Sequence, residues 1–259
     1  MKTNISFIVL TFNEEKHIER CIKSLKKVSD NIFIVDSFSK DNTVEIVNDL
    51  GVNLYQNKWV NYSEQFNWAM NNCRINSEWV MRIDADEYLS DELCNELINT
   101  LPNLFPPING LTLNYRHYFW GRWIKHGTRY PLTLLRIWRR GYGIIEKKWM
   151  DERIILTEGE IYMLKNDFIH DDLNNLSYFT EKHNSYATRE AIDLLNKKYK
   201  FLDENPAHTI ENKSKRHFNL WVKDTLYAKP FFVWIRSFIY FFYRYICRLG
   251  FLDGKEGLA

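Results

Sequence analysis

The sequence predicts an α/β fold, a mostly parallel sheet flanked by helices, followed by a helical C-terminal extension rich in basic and aromatic residues. Three observations carry this. Through the first hundred residues, short unbroken apolar runs alternate with stretches of helical periodicity, as strands buried on both faces alternate with crossover helices. The polar clusters "TFN", "DSFS" and "DADE" each fall where an apolar run stops. Residues 212–250 hold eight Lys and Arg against Asp224 alone, a net +7 within a chain total of +2, which leaves about −5 for the remainder.

The elements follow in order. "ISFIVL" (5–10) reads as a strand, residues 14–27 carry Ile18, Ile22 and Leu25 at helical spacing, and "NIFIVD" (31–36) is the next strand. Asp41 caps a helix through Val44, Val47 and Leu50. "VNLYQ" (52–56) is a third strand, "SEQFNWAMNNC" (63–73) a helix and "EWVMRID" (78–84) a fourth strand. Ser90 then caps a helix with Leu93, Leu97 and Leu101 on one face. This alternation implies a parallel sheet with right-handed crossovers, which binds ligands at the carboxyl ends of its strands. From Asn109 the pattern changes. "NGLTLNYRHYFWGRWIKHG" is strand-like, "LLRIWRR" and "RIIL" are short strands, and after His170 the chain turns helical. The boundaries fall at 1–108, a ligand-binding α/β half; 109–172, a second half of the same domain; and 173–259, a helical region.

The composition, 45% hydrophobic and 26% charged, is that of a globular protein. Cys21, Cys73, Cys94 and Cys247 are scattered with no C-x-x-C pair, which argues for reduced thiols and against a structural metal. "MKTNISFIVLTFN" has an apolar run too short for a secretory signal, so the chemistry is expected inside the cell. Neither G-x-G-x-x-G nor a P-loop is present. A phosphate-bearing ligand would then need a bridging cation, and Mg²⁺ or Mn²⁺ prefers carboxylate oxygens completed by substrate phosphates. Asp84-x-Asp86, at the end of the fourth strand, supplies two such carboxylates, with Glu87 next to them. A solvated turn leading to the Ser90 cap is the alternative.

"SFIVLTFNEEKHIERCIKSL", "IFIVDSFSKDNTVEI" and "WVMRIDADE" resemble the family-2 inverting glycosyltransferases of the GT-A fold. "WVNYSEQFNWA" (59–69), "GRWIKHGTRYP" (121–131), "LRIWRRG" (135–141) and "GFLDGKEGL" (250–258) narrow the resemblance to the bacterial lipopolysaccharide-core β-1,4-glucosyltransferase subgroup. The resemblance implies that residues 1–108 bind a nucleotide-sugar and that 109–172 face the acceptor. It implies that Thr11, Asn13 and Glu14 border the nucleotide and that Asp36 accepts a hydrogen bond from base or ribose. Gln65 and Asn67 would line the same cleft. Asp84 would contact ribose or the metal shell, Asp86 would bind the metal, and His170 would be a third ligand. An inverting transfer needs a base for the acceptor hydroxyl. The subgroup usually has a His-Glu pair in "KKWMDERIIL", so Glu152 is the expected base and Asp151, a departure from that pair, the runner-up. Read alone, these residues have blander roles: Asp36 and Ser37 as a turn cap, Gln65 and Asn67 as surface amides, "DERI" as a strand edge, His170 as a turn residue. Arg136, Arg139 and Arg140 suit a diphosphate or an anionic acceptor, and equally a solvated strand edge.

The tail "AKPFFVWIRSFIYFFYRYICRLGF" (228–251) is broken by Arg236, Arg244 and Arg248, so no uncharged run reaches the about 18–20 residues of a membrane span. At 100° per residue, Lys229, Arg236, Arg244 and Arg248 fall within about 120° of a helical wheel. An aromatic face opposite a basic arc suits a helix lying among anionic headgroups, with Lys213, Lys215, Arg216 and Lys223 extending the charge. A core helix with snorkelling arginines is the alternative. No groove-reading motif points to nucleic acid. The expectation is a metal-dependent glycosyltransferase, cytoplasmic and peripheral on the inner face of the plasma membrane. It would move sugar from a UDP-linked donor to a lipid-linked or lipopolysaccharide-type glycan. The rivals are a sugar-nucleotide nucleotidyltransferase, against which the acidic "TFNEEKH" argues, and a non-catalytic membrane adaptor.

Overall fold

The computed structural model describes residues 2–146, 152–199 and 233–258. Strands β1 (Ile5–Thr11), β2 (Ile32–Asp36), β3 (Asn53–Gln56) and β4 (Trp79–Asp84) run parallel in the order β3-β2-β1-β4. Helices α1 (Ile18–Leu25), α2 (Thr43–Asp49), α3 (Tyr62–Asn72) and α4 (Asp91–Thr100) complete this half. Every residue of β1 and β2 is buried, and their side chains alternate between two cores. Ile5, Phe7 and Val9 pack with Ile18, Ile22 and Leu25 of α1 and Leu93 and Leu97 of α4, while Ile8 and Leu10 pack with Phe66 and Ala69 of α3. Burial of each large apolar side chain is worth about 1.5–3 kcal/mol, so both faces are anchored. Local chemistry sets the helix starts. Asn61 and Ser90 accept the backbone N–H of Glu64 and Leu93 at 2.8 and 3.1 Å. Asp41 accepts that of Thr43 at 3.0 Å.

The second half continues the same sheet. It adds β5 (Glu87–Leu89), β6 (Ile108–Phe119), β7 (Arg122–Trp123), β8 (Thr133–Arg139), β11 (Glu160–Met163) and β12 (Phe168–Asp171), with β9 (Gly143–Ile145) and β10 (Ile154–Leu156) as a separate pair. β8 lies antiparallel between β4 and β6, β12 runs parallel to β6, and β5 closes the far edge against β12. The chain therefore leaves β4 at Asp84, crosses the mouth of the sheet through Asp86 and re-enters as β5. There Glu87 stands opposite His170 in register. The sequence leaves open whether the chain turns here or continues as strand, because three residues among acids carry no strand signal. Pairing with a strand some eighty positions away decides it.

The C-terminal third of the chain has, among the described residues, α5 (Leu176–Tyr199), α6 (Val233–Phe242) and α7 (Gly254–Leu258). Among the described residues no helix is long and apolar enough to cross a membrane. The single helical wheel over 228–251 is corrected here. Lys229 lies outside the described residues, α6 gives way to a π-turn at Tyr243–Cys247, and Leu249 takes a left-handed φ of 59°. Arg244 turns inward, and its Nε donates to the carbonyl of Gly127 at 2.7 Å.

That contact belongs to a clamp between residues 121–129 and the chain terminus. Gly127 N–H donates to Arg248 O at 2.9 Å, and Arg122 Nη2 to Leu252 O at 3.0 Å. Asp253, buried, accepts both the backbone N–H and the Nδ1–H of His126 at 2.7 Å each. "GRWIKHG" and "GFLDGKEGL" are thus two halves of one structural unit. Asp253→Ala strands a backbone donor and an imidazole N–H, a cost of about 2–3 kcal/mol. Limited proteolysis of the variant is expected to cut within residues 233–258 at least about tenfold faster, since a 1.4 kcal/mol loss already gives that factor. Unchanged protection would show that the clamp is held by something else.

Candidate active site

The carboxyl ends of β1, β2 and β4 carry the polar clusters singled out in the sequence. Asp36 ends β2 fully buried and accepts four hydrogen bonds. Thr11 Oγ1 donates to its Oδ1 at 3.1 Å, and Ser39 Oγ donates to the same oxygen. Ser39 N–H and Gln56 Nε2 donate to its Oδ2 at 2.9 and 3.2 Å. An ionised carboxylate has about four acceptor sites, so Asp36 is saturated. In this conformation it organises the loop, and a nucleotide could be accepted only in exchange for Ser39 or Gln56. The loops after β1 and β2 are stitched together. Asn13, in the left-handed region at φ 56°, donates its N–H to Ser39 Oγ and accepts Lys40 N–H, both at 2.8 Å. Glu14 N–H donates to Thr43 Oγ1 at 2.8 Å, and the Glu14 carboxylate, its pKa raised by burial, lies 2.7 Å from His17 Nδ1. Gln65, buried, donates to Ser37 Oγ and Asn57 O at 3.1 Å each. Asn67 departs from the expectation. Two residues along α3 is a rotation of about 200°, so Asn67 is half-buried on another side of the helix and does not join Gln65.

Beside β4 opens a cleft of 730 Å³, lined by Trp59, Tyr62, Arg82, Asp84, Arg136 and Glu152 among others. Tyr62 donates to Asp84 Oδ1 at 2.5 Å, while Arg82 Nε and Arg136 Nη1 each stand 3.7 Å from the same carboxylate. Desolvation opposes the charge of Asp84, but Arg82 and Arg136 outweigh it and hold its carboxyl below the usual range. Arg82 also lies over the Tyr62 ring, 3.8 Å from its centroid, and donates to the main-chain oxygen of Glu152 at 3.1 Å. It ties the floor of the cleft to the wall that carries Glu152. Arg82 Nε and Arg136 Nη1 are buried and lack a hydrogen-bond partner among the described residues. Asp151 lies outside the described residues.

Asp86 points away from this cluster. Its Oδ2 lies 3.1 Å from His170 Nε2 and 3.6 Å from Lys182 Nζ on α5. Burial opposes its charge, yet His170 and Lys182 prevail and keep the carboxyl well below the usual range. Asp86 in turn raises the His170 pKa against the effect of burial. Protonated His170 then donates from Nε2 to Asp86, and from Nδ1 to His117 Nδ1 at 3.1 Å, the two rings stacked at 5.1 Å. Burial, joined by the charges of His170 and Arg129, pushes His117 down to about 3. Glu87, buried, accepts Asp84 N–H at 2.9 Å and Arg136 Nη2 at 2.8 Å, and burial pushes its carboxyl up to about 7.

Each of the three crowded acids therefore has its own protein cation, so their proximity needs no metal to be tolerated. Arg136 serves this neutralisation, Arg139 pairs with Glu78, and Arg140 donates to Ser77 O at 3.1 Å. Asp86 and His170 still fit a divalent ion. Their 3.1 Å separation matches neighbouring ligands of an octahedral ion with bonds of about 2.1 Å. Among the described residues no group of three His, Cys, Asp or Glu is arranged to hold a metal, and Asp84 is turned towards the arginines. Tyr62, His117 and Lys182 escaped the sequence reading. Tyr62 sat in plain view within "WVNYSEQ", but nothing local ties a helix-start tyrosine or a mid-helix lysine to acids elsewhere in the chain.

A sheet with ligand-side acids at its carboxyl edge and an antiparallel continuation beside β4 defines the class as GT-A. The chain matches the model of "Glycosyl transferase family 2" over residues 6–169 and belongs to that family. It is 29% identical over 217 residues to an uncharacterized glycosyltransferase of Rickettsia prowazekii, covering 74% of this chain and 68% of the relative. It is 30% identical over 165 residues to the lipopolysaccharide core biosynthesis glycosyltransferase LpsC of Rhizobium meliloti, covering 62% and 60%. Among solved structures it is similar to the mannosyltransferase PcManGT from Pyrobaculum calidifontis in complex with GDP-Man and Mn²⁺, at TM-score 0.38 and 22% identity over 45% of this chain and 36% of that one. Against glucosyl-3-phosphoglycerate synthase from Mycobacterium tuberculosis the TM-score is 0.37 at 21% identity, with 44% of each chain covered. The chain thus spans less than half of either solved protein.

Proposed function

We propose that this chain is an inverting glycosyltransferase that moves a sugar from a uridine-diphosphate donor to a lipid-linked or lipopolysaccharide-type glycan at the cytoplasmic face of the membrane. The observation that carries the reading is the 730 Å³ cleft at the carboxyl end of β4, with Asp84 on its floor and Glu152 on its wall. Its size suits a small organic ligand of this kind, and its arginines suit a diphosphate. The likeness to the Rhizobium enzyme supports the acceptor class. The exposed Phe238, Ile239 and Phe242 on α6 support residence at a lipid surface.

In this mechanism Glu152 takes the proton of the acceptor hydroxyl as that oxygen forms its bond to the sugar C1. The bond from C1 to the diphosphate oxygen breaks on the opposite face, and the electron pair leaves with the diphosphate. Arg82 holds the Glu152 segment and lends positive charge to the cleft, and Tyr62 fixes the Asp84 carboxylate. Asp86 and His170 would hold Mg²⁺ or Mn²⁺, which when bound offsets charge on the leaving group. The test is release of nucleoside diphosphate from a panel of sugar nucleotides with Mn²⁺ and a bacterial lipid extract. UDP release that depends on the extract is expected. Consumption of no donor, with or without the ion, would overturn the reading.

A further inference from the structure

The clamp between residues 121–129 and the chain terminus encloses a 300 Å³ cavity that the transfer chemistry above does not use. Phe119, Phe179, Tyr240 and Phe241 wall it, and Arg129 and Arg244 supply its cations. A second cavity of 230 Å³ shares His117, Phe119, Arg129 and Phe179 with it and reaches His170 and Lys182. The two form one path from the Asp86 end of the candidate active site to the inner side of α6.

The charges along this path are unevenly matched. Among the described residues, no hydrogen bond or ion pair engages the guanidinium of Arg129, an exposed residue whose pKa is lowered by partial desolvation and the neighbouring Arg244. Arg244 spends only Nε, on Gly127 O, and stands 5.5 Å over the Tyr240 ring. The carboxylates that line the cavity are committed elsewhere. Asp253 is held by His126, and Glu256 faces Arg122 at 3.7 Å. Among the described residues, two guanidinium groups thus face an aromatic-walled cavity without a paired counter-anion. The helix beside it is two-sided. Ser237, Tyr240, Phe241 and Arg244 face the cavity, at the i, i+3, i+4, i+7 spacing of one helix face. Phe238, Ile239 and Phe242 point outward, 75%, 63% and 59% exposed.

We propose that Arg129 and Arg244 form a phosphate-recognition subsite for the acceptor. It takes the phosphate-bearing headgroup of a lipid-anchored glycan, whose apolar portion runs over the outer face of α6. This rests on the reading of the chain as a glycosyltransferase with a lipid-linked acceptor, and adds where that acceptor is gripped and by what chemistry. Guanidinium groups bind phosphate by paired, charge-assisted hydrogen bonds. The aromatic walls flank the two cations with apolar surface that suits an amphiphile. The apolar flank distinguishes an amphiphile from a free anion.

The experiment is calorimetric titration of the full chain with dihexanoyl phosphatidic acid below its micelle concentration, dihexanoyl phosphatidylcholine and inorganic phosphate. Arg129→Gln and Arg129→Lys are titrated in parallel. UDP with Mn²⁺ is titrated into all three proteins as a measure of the donor site and of folding. Wild type is expected to bind the phosphatidic acid at least about tenfold more tightly than either other probe. Arg129→Gln should lose about tenfold or more, Arg129→Lys should lose less than Arg129→Gln because it keeps the charge but not the paired contact, and UDP binding should be equal in all three. Equal affinity for the zwitterionic lipid, equal affinity for inorganic phosphate, or an Arg129→Gln constant within about twofold of wild type would each overturn the subsite. Wild type that discriminates the phosphatidic acid but ignores UDP would leave the subsite standing and remove the donor reading instead.

Discussion

Asp86→Ala is expected to lower transfer by on the order of a thousandfold, the scale set by removing one group that stabilises developing charge. The carboxylate is 8% exposed and faces two cations, His170 and Lys182. Deleting it leaves His170 without that counter-charge while Lys182 keeps Asp172 at 3.7 Å, and breaking a buried pair from one side costs about 3–5 kcal/mol. Part of that is relieved, because Asp86 raises the His170 pKa and its loss lets the proton leave more readily. Asp86→Asn separates the two effects, since the amide keeps the shape and one acceptor but loses the charge. It should lose less stability than Asp86→Ala, because shape and one hydrogen bond are kept, and still lose most of the activity. Proton linkage gives an independent check. His170, raised by Asp86, stabilises the fold below its ordinary pKa and loses that contribution as pH rises through the folded value. The same proton must leave before His170 can ligate an ion, so Mn²⁺ affinity in the presence of UDP should increase with pH. A pH-independent Mn²⁺ affinity, or Asp86→Asn retaining more than about a tenth of the wild-type rate, would remove Asp86 and His170 from the ion's site.

The parallel half of the fold was legible because burial on both faces leaves a simple mark. "ISFIVL" and "NIFIVD" are apolar at almost every position, and β1 and β2 are buried at every position. The caps were legible for an equally local reason, Ser90 and Asp41 lying within three residues of the N–H groups they accept. What the sequence hid is non-local. β5 has three residues and exists because it pairs with β12, which is itself held along β6. That pairing brings His170 to Asp86, a contact across 84 positions that no periodicity encodes. The acids show the same division. Their clustering at the mouth of the sheet was visible, but their partners were not. Arg82 stands two positions from Asp84 in the sequence, whereas Arg136 and Lys182 arrive from β8 and α5. A motif can show where charge gathers; only the fold shows what balances it.

Glu152→Gln is expected to retain UDP binding while transfer falls by about a hundredfold to ten-thousandfold, the range for loss of a positioned general base. The structure makes this substitution informative. Arg82 Nη1 donates to the main-chain oxygen of Glu152 at 3.1 Å. Changing carboxylate to amide leaves that anchor in place, along with the length of the side chain, so the wall of the cleft should keep its position. What changes is the ability to accept and hold a proton. A mere strand-edge charge would behave otherwise, since its loss would alter stability slightly and rate hardly at all. Wild-type activity should fall towards acid pH as the base is protonated, and the residual activity of Glu152→Gln should lack that limb. Asp151→Asn is the companion variant. If Glu152→Gln is fully active and Asp151→Asn is not, the base lies one position earlier. If both stay active with donor consumed, neither carboxylate is the base, and the proton must leave the acceptor by a route that this cleft wall does not provide.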